Sequence, residues 1–278
     1  MSQASERALR IAEEITRRTS CDHYRLALNE QRQPAATDSK IGGMPYWPAG
    51  KEYPTDGQGK PMMLVMQVNC AQAGLQAPLP EQGMLQWFIS LNPELQYGCR
   101  GNYDEQGEGF RIVYHDTIGE SAAPAGTPTH ATVDAMLTPV KREVAIDVVL
   151  EETSMGVSDG HFNRLFFDQV EKITGVEQLG KMWYQYVDNE DCLYFERNLG
   201  MKRPCHQMLG YPVYSQEDAR CDIECHDTLL FQLDSQFSAA NDGELVMWGD
   251  MGSGFIFINR DDLANLDFSH AYYCWDCG

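Results

Sequence analysis

The sequence predicts an α+β fold that is rich in strands, its largely antiparallel sheets arising by internal duplication and sharing one core. Three observations predict it. Short apolar runs recur between glycine- and proline-rich turns, helical periodicity is confined to the amino end and to a stretch near 159–174, and the chain echoes itself. Residues 1–278 read as one domain, with apolar residues at 43%, ample for a sizeable core.

The first element is a helix over about residues 4–19, where Ala8, Leu9, Ile11, Ala12 and Ile15 fall at helical spacing. Glu13 with Arg17 and Glu14 with Arg18 support its wet side as i,i+4 pairs. A polar stretch, Gln31 to Ser39, leads into "SKIGGMPYWPAG" at 39–50, whose three glycines and two prolines predict coil. "MMLVMQVNC" at 62–70 and "GMLQWFISL" at 83–91 read as buried strands. "NYDEQG" near residue 102 imitates the start of a calcium loop, but Val113 stands where a bidentate glutamate is required, so the segment reads as a turn before a strand at 110–115. In "KREVAIDVVLEE", Val144, Ile146, Val148 and Leu150 alternate onto one face of a further strand. Phe162, Leu165, Phe166, Val170 and Ile173 repeat at three and four, which predicts a core-facing helix. Beyond it strands are expected to dominate, with "GDMGSG" at 249–254 as a hairpin loop between a strand ending near Trp248 and "FIFIN".

The echo has three parts. "GGMPYW" at 42–47 answers "LGYPVY" at 209–214, "LVMQVN" at 64–69 answers "LLFQLD" at 229–234, and "GMLQWF" at 83–88 answers "GELVMW" at 243–248. Pro45 thereby aligns with Pro212 and Gln67 with Gln232, at offsets of 167, 165 and 160 residues in unchanged order. Two repeat-like units, about 39–91 and 204–258, follow from this, too few and too long for a solenoid. The units differ where chemistry can differ, with Lys40 in the first and His206 in the second.

"SKIGGMPYWP", "LPEQGMLQWFI", "HQMLGYPVYSQ", "ECHDTLLFQLDS", "MWGDMGSGFIFIN" and "NLDFSHAYYCWDC" together resemble the YwqG-like proteins, a bacterial domain family of unknown function. The resemblance runs from residue 39 to the end and implies a cytosolic α+β protein with a repeated β-rich core. It transfers no activity, catalytic residue or cofactor.

Charge and cysteine content bound the function. The 41 acidic side chains against 21 basic ones give a net charge of -20, which repels nucleic acid and anionic membrane and attracts cationic partners. The amino end lacks the apolar run of a secretory signal, and nothing approaches the roughly 18 apolar residues of a membrane span, so a cytoplasmic protein is expected. Nine cysteines, an odd number in a chain without an export signal, are expected to be reduced and mostly buried.

Local chemistry offers few sites. No nucleophile elbow, zinc-protease helix or phosphate-binding glycine loop is present. Read as a strand, "ECHDT" at 224–228 puts Cys225 and Asp227 on one face and Glu224, His226 and Thr228 on the other, which forbids a Cys225–His226 dyad and leaves His226 with Glu224 as the best acid–base pair. The same objection separates Cys205 from His206. Cys221, Cys225, Cys274 and Cys277 have spacings from which a thiolate zinc site can close if the two regions meet, but no metal or other cofactor is expected. "CWDC" lacks the following helix that lowers a redox thiol's pKa. The candidate binding cleft comprises Lys40, Trp47, His206, Tyr211, Glu224, His226, Asp227, Trp248 and Asp250.

Two functions remain. The favoured one is a non-enzymatic binding module whose acidic, aromatic-bearing face captures a cationic protein, in the manner of an immunity protein neutralising a basic toxin. The alternative is a small-molecule hydrolase with a cleft between the repeats, lined by His206, His226, Asp227 and Asp250.

Overall fold

Two long strands hold the molecule together. In the computed structural model, which describes residues 5–100, 103–104, 108–175, 180–220, 222–240 and 243–278, β1 (Cys21–Asn29) pairs antiparallel with β7 (Val144–Thr153) along its whole length. "CDHYRLALN" alternates apolar Tyr24, Leu26 and Leu28 with polar neighbours, the pattern of a strand buried on one face. From β7 the sheet continues outward through β2 (Lys40–Ile41), β3 (Met63–Asn69), β4 (Met84–Ile89) and β6 (Phe110–His115). From β1 it continues through β8 (Gln207–Leu209), β9 (Thr228–Asp234), β12 (Ser253–Ile258), β13 (Tyr272–Asp276) and the short β5 (Tyr103–Asp104). Every neighbouring pair in this 11-stranded sheet is antiparallel.

The sheet curls so that its two arms face one another and is nearly closed. Trp87 of β4 stacks on Trp248 with ring centroids 5.6 Å apart and meets Tyr273 of β13 edge-on at 5.5 Å, while Phe110 of β6 lies 5.4 Å from Tyr273. One apolar core therefore draws on both arms. A second cluster lies under the helices α1 (Glu6–Thr19), α3 (Phe162–Thr174) and α4 (Asn189–Asn198), built from Ile11, Ile15, Phe162, Phe166 and Phe195. α1 is started by Ser5, whose hydroxyl accepts from the Ala8 N–H and donates to Asp191 of α4, fixing one helix to the other.

Several expectations are corrected. The arms form one continuous sheet rather than separate sheets, because the β1–β7 ladder joins them. The third echo fails structurally: β11 (Glu244–Val246) leaves the main sheet to pair with β10 (Gln236–Phe237), and β12 takes the place beside β9. "GDMGSG" consequently connects strands of different sheets and is no hairpin loop. Gly254 explains the detour, since a Cβ there would lie 2.4 Å from the Trp248 ring that plugs the core. Leu150 of β7 is 49% exposed and Ile173 of α3 is 47% exposed, because both elements run past the edge of their cores. Between α3 and β8 the chain forms α4 instead of strand, begun by an Asp188 carboxylate that accepts from the N–H groups of Glu190 and Asp191. "ECHDT" is a turn up to Asp227, held by the Asp222 carbonyl accepting from the His226 N–H, and β9 starts only at Thr228.

The first two echoes coincide with matched geometry. Gln67 is wholly buried on β3 and its Oε1 accepts from the Tyr46 N–H at 2.8 Å, while Gln232, wholly buried on β9, accepts from the Val213 N–H at 3.0 Å. A second glutamine then donates to each, Gln86 to Gln67 at 3.2 Å and Gln207 to Gln232 at 3.1 Å. Lys40 stands opposite Gln67 and Gln207 opposite Gln232, so the position answering Lys40 is Gln207 and not His206.

Candidate functional site

The nominated residues do not gather in one place. Lys40 is buried, its Nζ donating to the Met44 carbonyl at 2.6 Å and to Glu143 at 2.8 Å. Trp248 is wholly buried in the core. His206 is buried and satisfied: its Nδ1 accepts from the Asp234 N–H at 3.0 Å, so its proton sits on Nε2, 2.6 Å from Gln236 Oε1. Burial lowers its pKa, in keeping with that neutral tautomer. Glu224 and Asp250 are exposed. Glu224 lies 3.7 Å from His161, and His226 turns its Nδ1 to the Asp222 carbonyl at 3.1 Å. Tyr211 and Asp227 line one cleft, of about 240 Å³, with Cys21 and Arg260. Burial raises the Tyr211 hydroxyl to about 12 and also raises the Cys21 thiol, so neither group is ionised near neutral pH.

Of the proposed zinc set, Cys221 lies outside the described residues. Cys225 is exposed in its turn, whereas Cys274 is buried in β13 with its thiol pKa pushed well up by burial. Among the described residues these cysteines form no metal-holding cluster.

The polar centre of the β9 arm is structural. Asp234, wholly buried, accepts from Arg203 Nε at 3.1 Å, the Cys205 N–H at 2.6 Å, Gln232 at 2.8 Å and the Ser253 hydroxyl at 2.7 Å. Both carboxylate oxygens and the guanidinium are thus spoken for inside the fold.

A larger cleft, of about 630 Å³, lies where the opening motif crosses the end of β6. Tyr46, Lys51, Tyr114, His115, Asp116 and Glu120 line it. The Trp47 carbonyl accepts from the Ala122 N–H at 2.7 Å, and the Tyr46 hydroxyl accepts from the Gly119 N–H at 3.0 Å, which binds segment 116–122 to the motif. His115 closes β6 and is 8% exposed. Trp47 and Tyr46 pack edge-on against its ring at 4.8 and 5.7 Å. Its Nε2 is buried and has no hydrogen-bond partner among the described residues. Burial first, and then the positive charge of Lys51, lowers the His115 pKa, so the ring is neutral at neutral pH. Asp116 and Glu120 are exposed, and among the described residues neither forms an ion pair.

Of the nominated residues Trp47 alone abuts this cleft, through its contact with His115. A signal for His115 was present. The tripeptide His-Asp-Thr occurs at 115–117 and again at 226–228, and sequence reasoning weighed only the second. In both, the threonine hydroxyl donates to the aspartate, at 3.4 and 2.9 Å, but only the first histidine is buried.

Among the described residues no helix is long and apolar enough to cross a membrane. No curated protein matches the sequence. The family profile of a domain of unknown function, DUF1963, matches residues 39–277, which takes in both arms of the sheet and the whole large cleft while leaving out α1 and β1. The chain belongs to the DUF1963 family.

Proposed function

We propose that this protein is a non-enzymatic binding module that captures a cationic partner and that the cleft beside His115 is its contact point. One observation carries the reading: a nine-tenths buried, neutral histidine, its Nε2 without a hydrogen-bond partner among the described residues, lines an open cleft with two carboxylates that form no ion pair among those residues. The net charge of -20 favours encounter with a basic protein, as an immunity-type protein would meet a basic toxin. The reading includes a YwqG-like, bacterial and cytoplasmic setting.

The two arms are read, as part of the same proposal, as copies of one ancestral unit. The supports are the strand order, which runs in chain order from β7 through β2, β3, β4 and β6 and from β1 through β8, β9, β12 and β13, with β5 alone out of turn at the edge, and the paired bonds at Gln67 and Gln232.

The test is titration with a lysine- and arginine-rich peptide and with an acidic peptide of equal length, at low and raised salt. The reading expects saturable 1:1 binding of the basic peptide that weakens with salt. Equal binding of the acidic peptide, or no saturable binding at low salt, would overturn it. Turnover of a peptide or ester probe would move the function to the hydrolase alternative.

A further inference from the structure

We propose that the far half of β7, from Val148 to Glu152, is a docking edge onto which an extended segment of a basic protein adds as a further antiparallel strand. The segment alternates apolar and basic side chains. This edge shares no residue with the lining of the cleft beside His115 and is a separate surface.

The backbone fixes which groups are open. β1 pairs with β7 from Ala145 to Thr153, but on the other side β2 covers only Val144 and Ala145. The Ile146 N–H still donates to the Ser39 carbonyl on the β2 side at 2.9 Å, and the Ile146 carbonyl accepts from Arg32 at 2.9 Å. Backbone groups of a strand turn to its two sides alternately, so those of Val148, Leu150 and Glu152 point the same way as those of Ile146, away from β1. Among the described residues no strand lies there and no hydrogen bond reaches them. Where β2 leaves β7 a cleft of about 350 Å³ opens, lined by Ser39, Gln72, Ala73, Asp147 and Val148. A row of unpaired N–H and C=O groups of this kind is a template for another chain.

The side chains specify the occupant. Val144, Ile146, Val148 and Leu150 share the core face, yet Leu150 is left 49% exposed because nothing lies beside it. An added strand with apolar residues on that face covers Leu150 and continues the core. Asp147 and Glu151 share the opposite face, and Glu152 stands directly across from Asp22 of β1, where like charges repel. Arg25 and Arg32 pair with Glu151 and Asp147 at 2.9 and 3.1 Å, but Asp22 and Glu152 form no ion pair among the described residues. The edge therefore keeps an excess of negative charge, which basic side chains of the added strand complement. A second copy fits less well, since edge-to-edge pairing would set Asp147 and Glu151 beside their own counterparts in two chains of net charge -20.

The test titrates the full chain with a peptide that alternates valine and lysine and with a scrambled peptide of the same composition, following binding and backbone amide exchange. In the antiparallel arrangement the valine amides face β7 and the lysine amides face solvent, so two N-methylated forms of the alternating peptide separate ladder from charge. The proposal expects saturable 1:1 binding that slows exchange at Val148, Leu150 and Glu152 about tenfold or more. N-methylation of the valine amides is expected to weaken binding about tenfold or more, and that of the lysine amides to leave it within about threefold. Leu150→Pro removes an edge N–H without touching the bonds to β1, and it should abolish binding in a chain that still unfolds cooperatively. If that variant does not fold, the two N-methylated peptides decide. Equal binding of the scrambled peptide, equal effects of the two methylations, or no saturable binding overturns the proposal. Protection that appears without peptide and grows with protein concentration also overturns it, assigning the edge to a second copy. Binding that moves the His115 ring signal while the three amides stay unprotected overturns it too, but leaves the cleft reading standing.

Discussion

Asp234 shows how a polar residue in a strand earns its burial. Its oxygens receive Arg203, the Cys205 N–H, Gln232 and Ser253 at 2.6–3.1 Å, so the wholly buried charge is matched on every side. Asp234→Asn keeps the shape but removes the charge facing Arg203, and we expect it to lower unfolding stability by about 3 kcal/mol, read by urea denaturation. An unchanged midpoint would show that Arg203 finds solvent instead. The same network explains why His206 was legible as a candidate while its surroundings were not: sequence shows a histidine beside a strand, while its hydrogen-bond partners come from Asp234 and Gln236, about thirty residues away. His115 presents the reverse case. Nothing in "FRIVYH" says that its last side chain will be buried without a partner, because that depends on where Trp47 and Tyr46 pack.

Periodic elements were the most legible. The strands at 110–115 and within 62–70 and 83–91, and the helices near both expected places, follow from apolar spacing alone. β1 was missed although it alternates, since it abuts a helix with no glycine or proline between them. α4 was missed because its stripe is thin, with Asp191 and Phe195 as its buried residues. Two echoes led to matched positions, but the third matched "GELVMW" with a strand that Trp248 had drawn out of the sheet. Matched architecture predicts matched energetics. Gln67→Leu and Gln232→Leu each remove the acceptor of a backbone N–H, that of buried Tyr46 or half-buried Val213, and each is expected to cost about 2 kcal/mol by denaturant unfolding. A substitution that is neutral in one arm and severe in the other would contradict the equivalence. Gly254→Ala, which forces a methyl against Trp248, is expected to cost about 1–3 kcal/mol and to lower the thermal midpoint.

Over the whole molecule, acid should be destabilising well before the carboxylates titrate. His23, His115, His130 and His206 all have pKa values lowered from 6.5, each chiefly by burial. Unfolding lets these rings take up protons that the folded state refuses, so the stability they contribute is full above about pH 6.5 and falls as pH drops below it. His161, raised by its hydrogen bond to Asp159, acts in the opposite sense: its contribution is full below 6.5 and is lost as pH rises through its folded pKa. Four against one predicts a lower thermal midpoint at pH 5.5 than at pH 7.5, and an unchanged midpoint would contradict it.

The charge balance was read directly from composition, but where a cation would be held was not, because the cleft forms only when residues 45–51 cross the end of β6. The most direct measurement is a carbon–proton spectrum of the seven histidine rings during titration with the basic peptide. The account predicts that the His115 signal moves with saturation while that of His206, sealed by Asp234 and Gln236, stays in place. Saturable binding that leaves His115 unmoved, or that moves His206 instead, would contradict it.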